Sequence, residues 1–98
     1  MLPLTLFLVA CGGDACDRLC VEAGAAVGGC RTSALSWEDL GARSRRDFVA
    51  TCQDAWEASV VNLSSNELRI ALDACDEAER DLRRLGCDEV MALYAPTP

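Results

Sequence analysis

The sequence predicts a small all-α domain, a disulfide-stabilised bundle of about four short helices. Three observations carry that expectation. Apolar residues recur at helical spacing, and no stretch alternates with the period of a strand. Ser, Asp and Gly stand where helices would start and stop. Seven cysteines occur in 98 residues, far above ordinary usage. The 88 residues that follow residue 10 could bury about 60–65% of their unfolded surface, a marginal core that covalent cross-links would reinforce.

Asp14 is placed to cap a first helix starting at Ala15, with Asp17 adding negative charge to its first turn. Cys16, Leu19, Cys20 and Ala23 then fall at i, i+3, i+4 and i+7, on one face. Gly24 weakens this helix and Gly28-Gly29 are expected to end it. Ser36 precedes Trp37-Glu38-Asp39-Leu40, a one- or two-turn helix stopped by Gly41. Ser44, with Asp47 three residues on, starts the next helix, in which Phe48, Cys52, Ala55 and Trp56 share a face. Residues 62–65 make a turn. Ser64 with Glu67 forms a capping box that opens the clearest helix, residues 65–84. Leu68, Leu72, Cys75 and Leu82 line one side of it, widened by Ala71 and Ala78. Gly86 ends it, and a last helix over 88–94 turns Val90, Met91 and Tyr94 inward. Pro96 and Pro98 close the sequence.

Residues 1–10, MLPLTLFLVA, carry no charge and are too few to span a bilayer, which needs about 20 apolar residues. They match the apolar core of a secretory signal, although no Lys or Arg precedes that core. Leu8-Val9-Ala10-Cys11 resembles the lipobox of bacterial lipoproteins: an aliphatic residue at −3, a small one at −1, and Cys at +1. The resemblance covers residues 1–13 and implies that Cys11 is lipidated and the signal removed. A thiolate is the nucleophile that takes a lipid, and Gly12-Gly13 supply an unobstructed linker. The expected organisation is a lipoprotein signal peptide at 1–10, a lipidated Cys and linker at 11–14, and a six-cysteine helical domain at 15–95. Position +2 is Gly12 rather than the Asp that retains some lipoproteins at the inner membrane, which favours the outer membrane. No family is identified for residues 14–98.

Setting Cys11 aside leaves Cys16, Cys20, Cys30, Cys52, Cys75 and Cys87, an even number, as a disulfide framework requires. All but Cys30 sit on or beside an apolar face. Fifteen connectivities are possible. Cys16 and Cys20 are one turn apart on one face and so should bridge to two different partners. Cys52 and Cys75 flank the 62–65 turn at similar distances, so a helical hairpin would bring them level. The competing reading, a Cys-ligated metal centre on Cys16-x-x-x-Cys20 with Cys30, lacks a C-x-x-C pair and any histidine.

Charge and composition narrow the function. Nine basic against sixteen acidic residues give −7, which disfavours nucleic acid as a partner. The basic residues are all Arg, and Ala occurs fifteen times, the bias of a GC-rich bacterial genome. Catalytic glycine motifs are lacking, no histidine can serve as a general base, and no cofactor is implied. The acidic run Asp73, Asp76, Glu77, Glu79 and Asp81 reads as a solvated helix face with i,i+4 pairs Asp76–Arg80 and Glu79–Arg83. Trp37 and Trp56 read as core rather than as a binding surface. The expectation is a non-catalytic envelope lipoprotein that binds another protein or supports an envelope assembly. Its linker of about 10 Å would hold the domain close to the membrane, touching it through the lipid alone. A protein partner would offer a basic face. The alternatives are an enzyme or small-molecule carrier, which the short chain disfavours, and a secreted disulfide-rich effector or toxin-like module.

Overall fold

The computed structural model describes residues 13–31 and 35–94, and everything below concerns those residues. Its elements are α1 (Ala15–Cys30), a 3₁₀ turn (Glu38–Leu40), α2 (Arg45–Val60), α3 (Ser65–Leu82) and α4 (Cys87–Tyr94). The all-α bundle of four short helices is therefore the fold.

The caps are where side-chain chemistry puts them. The Asp14 carboxylate accepts from the Asp17 amide while the Asp17 carboxylate accepts from the Asp14 amide, so both residues form a capping box. Ser64 and Glu67 do the same for α3, and Ser44 accepts from the Asp47 amide to start α2. Ser36 and Asp39 exchange the same pair of bonds before the 3₁₀ turn, which Gly41 closes at φ 82°. A left-handed residue there favours glycine.

α1 departs from the expected stop. It continues through Gly28-Gly29 to Cys30, where the Arg31 amide still donates to the Val27 carbonyl. The last turn is held covalently, because Cys30 is bridged to Cys87 at the start of α4.

α1 is the hub of the bundle. It packs on α2, α3 and α4, whereas those three touch one another only sparsely. The registers fix the directions. Gly24 lies against Val49, Cys20 is bridged to Cys52, and Asp14 meets Trp56, so α2 runs antiparallel to α1. Cys16 is bridged to Cys75 and Glu22 meets Arg83, so α3 runs parallel. Cys30 is bridged to Cys87, while Leu19 shares a groove with Leu93 and Tyr94, so α4 runs antiparallel. The core gathers on the inner face of α1: Ala23 and Val27 pack with Leu82 and Val90, flanked by Leu19, Trp37, Phe48 and Tyr94. Phe48 links Trp37 and Tyr94, with ring centroids 5.7 and 6.0 Å away.

The α2 stripe differs from the expected one. Ala55 is exposed, and the inward-leaning positions are Phe48, Val49, Cys52, Gln53 and Trp56. No residue of α2 is fully buried. α2 meets only one neighbour broadly, so a single narrow stripe suffices.

Candidate functional site

The six cysteines form three disulfides: Cys16–Cys75, Cys20–Cys52 and Cys30–Cys87. Their Cα separations of 5.0, 5.7 and 5.1 Å lie within the range an unstrained bridge spans. Cys16 and Cys20 bridge to different helices, as their shared face requires. The Cys52–Cys75 pairing does not occur. α2 and α3 do not close against each other as a hairpin, because each lies against α1, and each cysteine finds its partner there. Each disulfide therefore staples one helix to the hub. All six sulfurs are consumed, so the Cys16-x-x-x-Cys20 and Cys30 thiolates are not available to a metal.

Cys11 lies outside the described residues, but the point where its linker enters the domain is well defined. One Asp14 carboxylate oxygen accepts from the Asp17 amide at 2.9 Å, and the other accepts from the Trp56 indole at 2.8 Å. Gln53 donates to the Asp17 carbonyl at 3.3 Å. The first turn of α1 is thereby locked to α2 within two residues of Gly12. Trp56 is half-buried, neither free on the surface nor in the apolar core, and its indole N–H has a definite task. Trp37 is part of the core rim, and the Arg31 guanidinium lies 5.3 Å over its ring.

The acidic run is not a uniformly solvated face. Asp76–Arg80 and Glu79–Arg83 pair as their spacing predicts. Glu79, however, is buried at 7% exposure and held by two arginines, Arg83 at 2.7 Å and Arg18 of α1 at 3.7 Å. Arg83 also reaches Glu22 at 3.2 Å. This four-residue network joins α1 to α3 beside the Cys16–Cys75 bridge. The sequence held a signal for it. Leu68, Leu72, Cys75, Glu79 and Leu82 are spaced 4, 3, 4 and 3 apart, so Glu79 stands in the buried stripe.

A groove of about 230 Å³ lies between α3 and α4, lined mainly by Leu19, Ala78, Leu82, Leu85, Leu93 and Tyr94. Its one charged lining residue is Asp81. Burial pushes the Tyr94 hydroxyl above its usual 10.0. Nothing in this groove pairs a nucleophile with a base or converges several polar groups. Among the described residues there is no group of three or more metal-ligating side chains, and no helix is long and apolar enough to cross a membrane.

The fold and these features define a class, a disulfide-stapled helical domain whose first helix is a hub bridged once to each of its three companions. No protein-family model matches the chain, and neither does any curated protein or solved structure compared with it.

Proposed function

We propose that the protein is a small, non-catalytic lipoprotein of the bacterial cell envelope, anchored through a lipid on Cys11 and serving as a protein-interaction or structural module. One observation carries the reading. Cys16, Cys20, Cys30, Cys52, Cys75 and Cys87 are paired among themselves, so Cys11, directly after the Leu8-Val9-Ala10 box, has no cysteine of its own chain left to pair with. A lipid acceptor is the use that its sequence context supports. Three bridges also suit an oxidising compartment outside the cytoplasm, where such a signal leads. Gly12 at +2 favours the outer membrane. The acidic surface of residues 73–89, with six acids besides the buried Glu79 against three arginines, would meet a partner with a basic face.

Intact mass of the protein from its native host tests the reading. The expected product lacks residues 1–10, carries an acyl-sized addition on Cys11, and is six hydrogens lighter for its three bridges. Cys11→Ser should move the protein from the membrane fraction to the soluble one. A mature chain that keeps residues 1–10 without an acyl group would overturn the anchor. A chain cleaved elsewhere and released would instead be the secreted effector-like module.

A further inference from the structure

The three bridges differ in how far a reagent in water can reach them. Cys16 is 4% and Cys20 2% exposed, and their partners Cys75 and Cys52 are half-buried. Cys87 is the one bridged cysteine on the open surface, and Cys30 is half-buried beside the core. The difference follows from position. Cys16, Cys20, Cys52 and Cys75 lie within helices packed on one another, whereas Cys30 is the last residue of α1 and Cys87 the first of α4. Thiol–disulfide exchange needs access to a sulfur, and exposed bridges are the labile ones.

The two ends this bridge joins are also the least secure in the bundle. α4 has eight residues, and so short a helix is marginal in water without its packing. Val90, 1% exposed, seats it on Ala23, Val27 and Leu82, with Met91 and Tyr94 at the margin. On the other side, the last turn of α1 contains Gly28-Gly29, which favour ending a helix. α2 and α3, at 16 and 18 residues, are instead stapled within their length.

We infer that Cys30–Cys87 is a thiol–disulfide exchange site, a latch that a dithiol reductant opens while the other two bridges stay closed. The incoming thiolate bonds to the Cys87 sulfur, and the Cys30 sulfur leaves with the electron pair. The second thiol of the reductant, once deprotonated, attacks its own sulfur in that mixed disulfide, and Cys87 leaves as a thiolate. The reductant becomes a disulfide, and its two electrons and two protons pass to Cys30 and Cys87. With the latch open, the last turn of α1 frays and α4 lifts from the hub, uncovering the apolar faces of Ala23, Val27 and Leu82. This holds whether or not Cys11 carries a lipid.

The oxidised full chain tests the latch, with any free Cys11 thiol first blocked by N-ethylmaleimide. Dithiothreitol serves as the reductant, and thiols are trapped over time with isotopically heavy N-ethylmaleimide and located by peptide mass mapping. Cys30 and Cys87 should be labelled about tenfold faster than the other four cysteines. Amide hydrogen exchange of the singly reduced form should rise across α4 and at Cys30 and Arg31, and stay unchanged in the centres of α2 and α3. Earlier or equal opening of Cys16–Cys75 or Cys20–Cys52 overturns the latch. Selective opening that leaves α4 protected overturns the release of α4.

Discussion

Gly24 and Gly29 are five residues apart on α1 and do opposite things. A Cβ on Gly24 would come 2.5 Å from Val49 Cγ2, while one on Gly29 would meet nothing within 4 Å. Val49 is β-branched and stiff in its helix, so it cannot swing away cheaply. Gly24→Ala should therefore cost about 1–2 kcal/mol, the overpacking penalty less the helix-propensity gain. Gly29→Ala should instead stabilise by about 0.5 kcal/mol, because only backbone entropy changes. Denaturant melts of the oxidised protein decide both signs. Glu67 offers a second residue-level test. Hydrogen bonds from the Ser64 backbone and then its side chain hold the Glu67 carboxyl below its ordinary 4.5. The capping box thus stabilises fully above about pH 4.5 and is lost as pH falls through the lowered midpoint. An NMR titration should place Glu67 below 4.5, and Ser64→Ala should return it towards that value.

At the scale of elements, the hub arrangement makes the staples separable. α2, α3 and α4 each rest on α1 and little on one another. Replacing Cys30 and Cys87 by alanine should loosen α4 first and raise its amide exchange, while α3, still stapled to α1 by Cys16–Cys75, keeps most of its protection. Replacing Cys20 and Cys52 should release α2 in the same way. Coupling should appear where α4 meets its neighbours, at the Phe48–Tyr94 aromatic contact with α2 and at Leu82 and Val90 in the core it shares with α3. Uniform loss of protection from either pair would mean that the bundle opens as one unit. The same geometry explains how far the elements were legible in advance. Starts were readable because caps are local chemistry: Asp14, Ser44 and Ser64 each bond the amide three residues on. The even cysteine count foretold a framework, and the shared face of Cys16 and Cys20 foretold separate partners. What local reasoning missed was non-local. A short turn between α2 and α3 suggests a hairpin, but burying Ala23 and Val27 places both helices on α1, and Cys52 and Cys75 follow. Gly28-Gly29 look like a terminator until the Cys30–Cys87 bridge holds the next turn. Glu79 looks solvated until Arg18 arrives from another helix.

For the whole molecule, the fully buried core is slight: Val27 and Val90 are the only large side chains below 2% exposure among the described residues. The bridges close loops with sequence separations of 59, 32 and 57 residues. On the loop-entropy view each is worth about 4 kcal/mol. Together they match the entire net stability of a typical domain, about 5–15 kcal/mol. Full reduction should therefore abolish the fold. The far-UV circular dichroism of the oxidised protein should show a helical spectrum, which a thiol reductant at neutral pH should collapse, and reoxidation should restore it. In a reducing cytoplasm the chain would then remain unfolded, and export would precede folding. That order is what the proposed export to the envelope requires, since an unfolded chain is the form an export channel can thread. A reduced chain that kept its helices and its cooperative melt would show that packing around α1 suffices. The cysteine framework would then lose its force as an argument about compartment, and the envelope reading would depend on the Leu8-Val9-Ala10-Cys11 box alone.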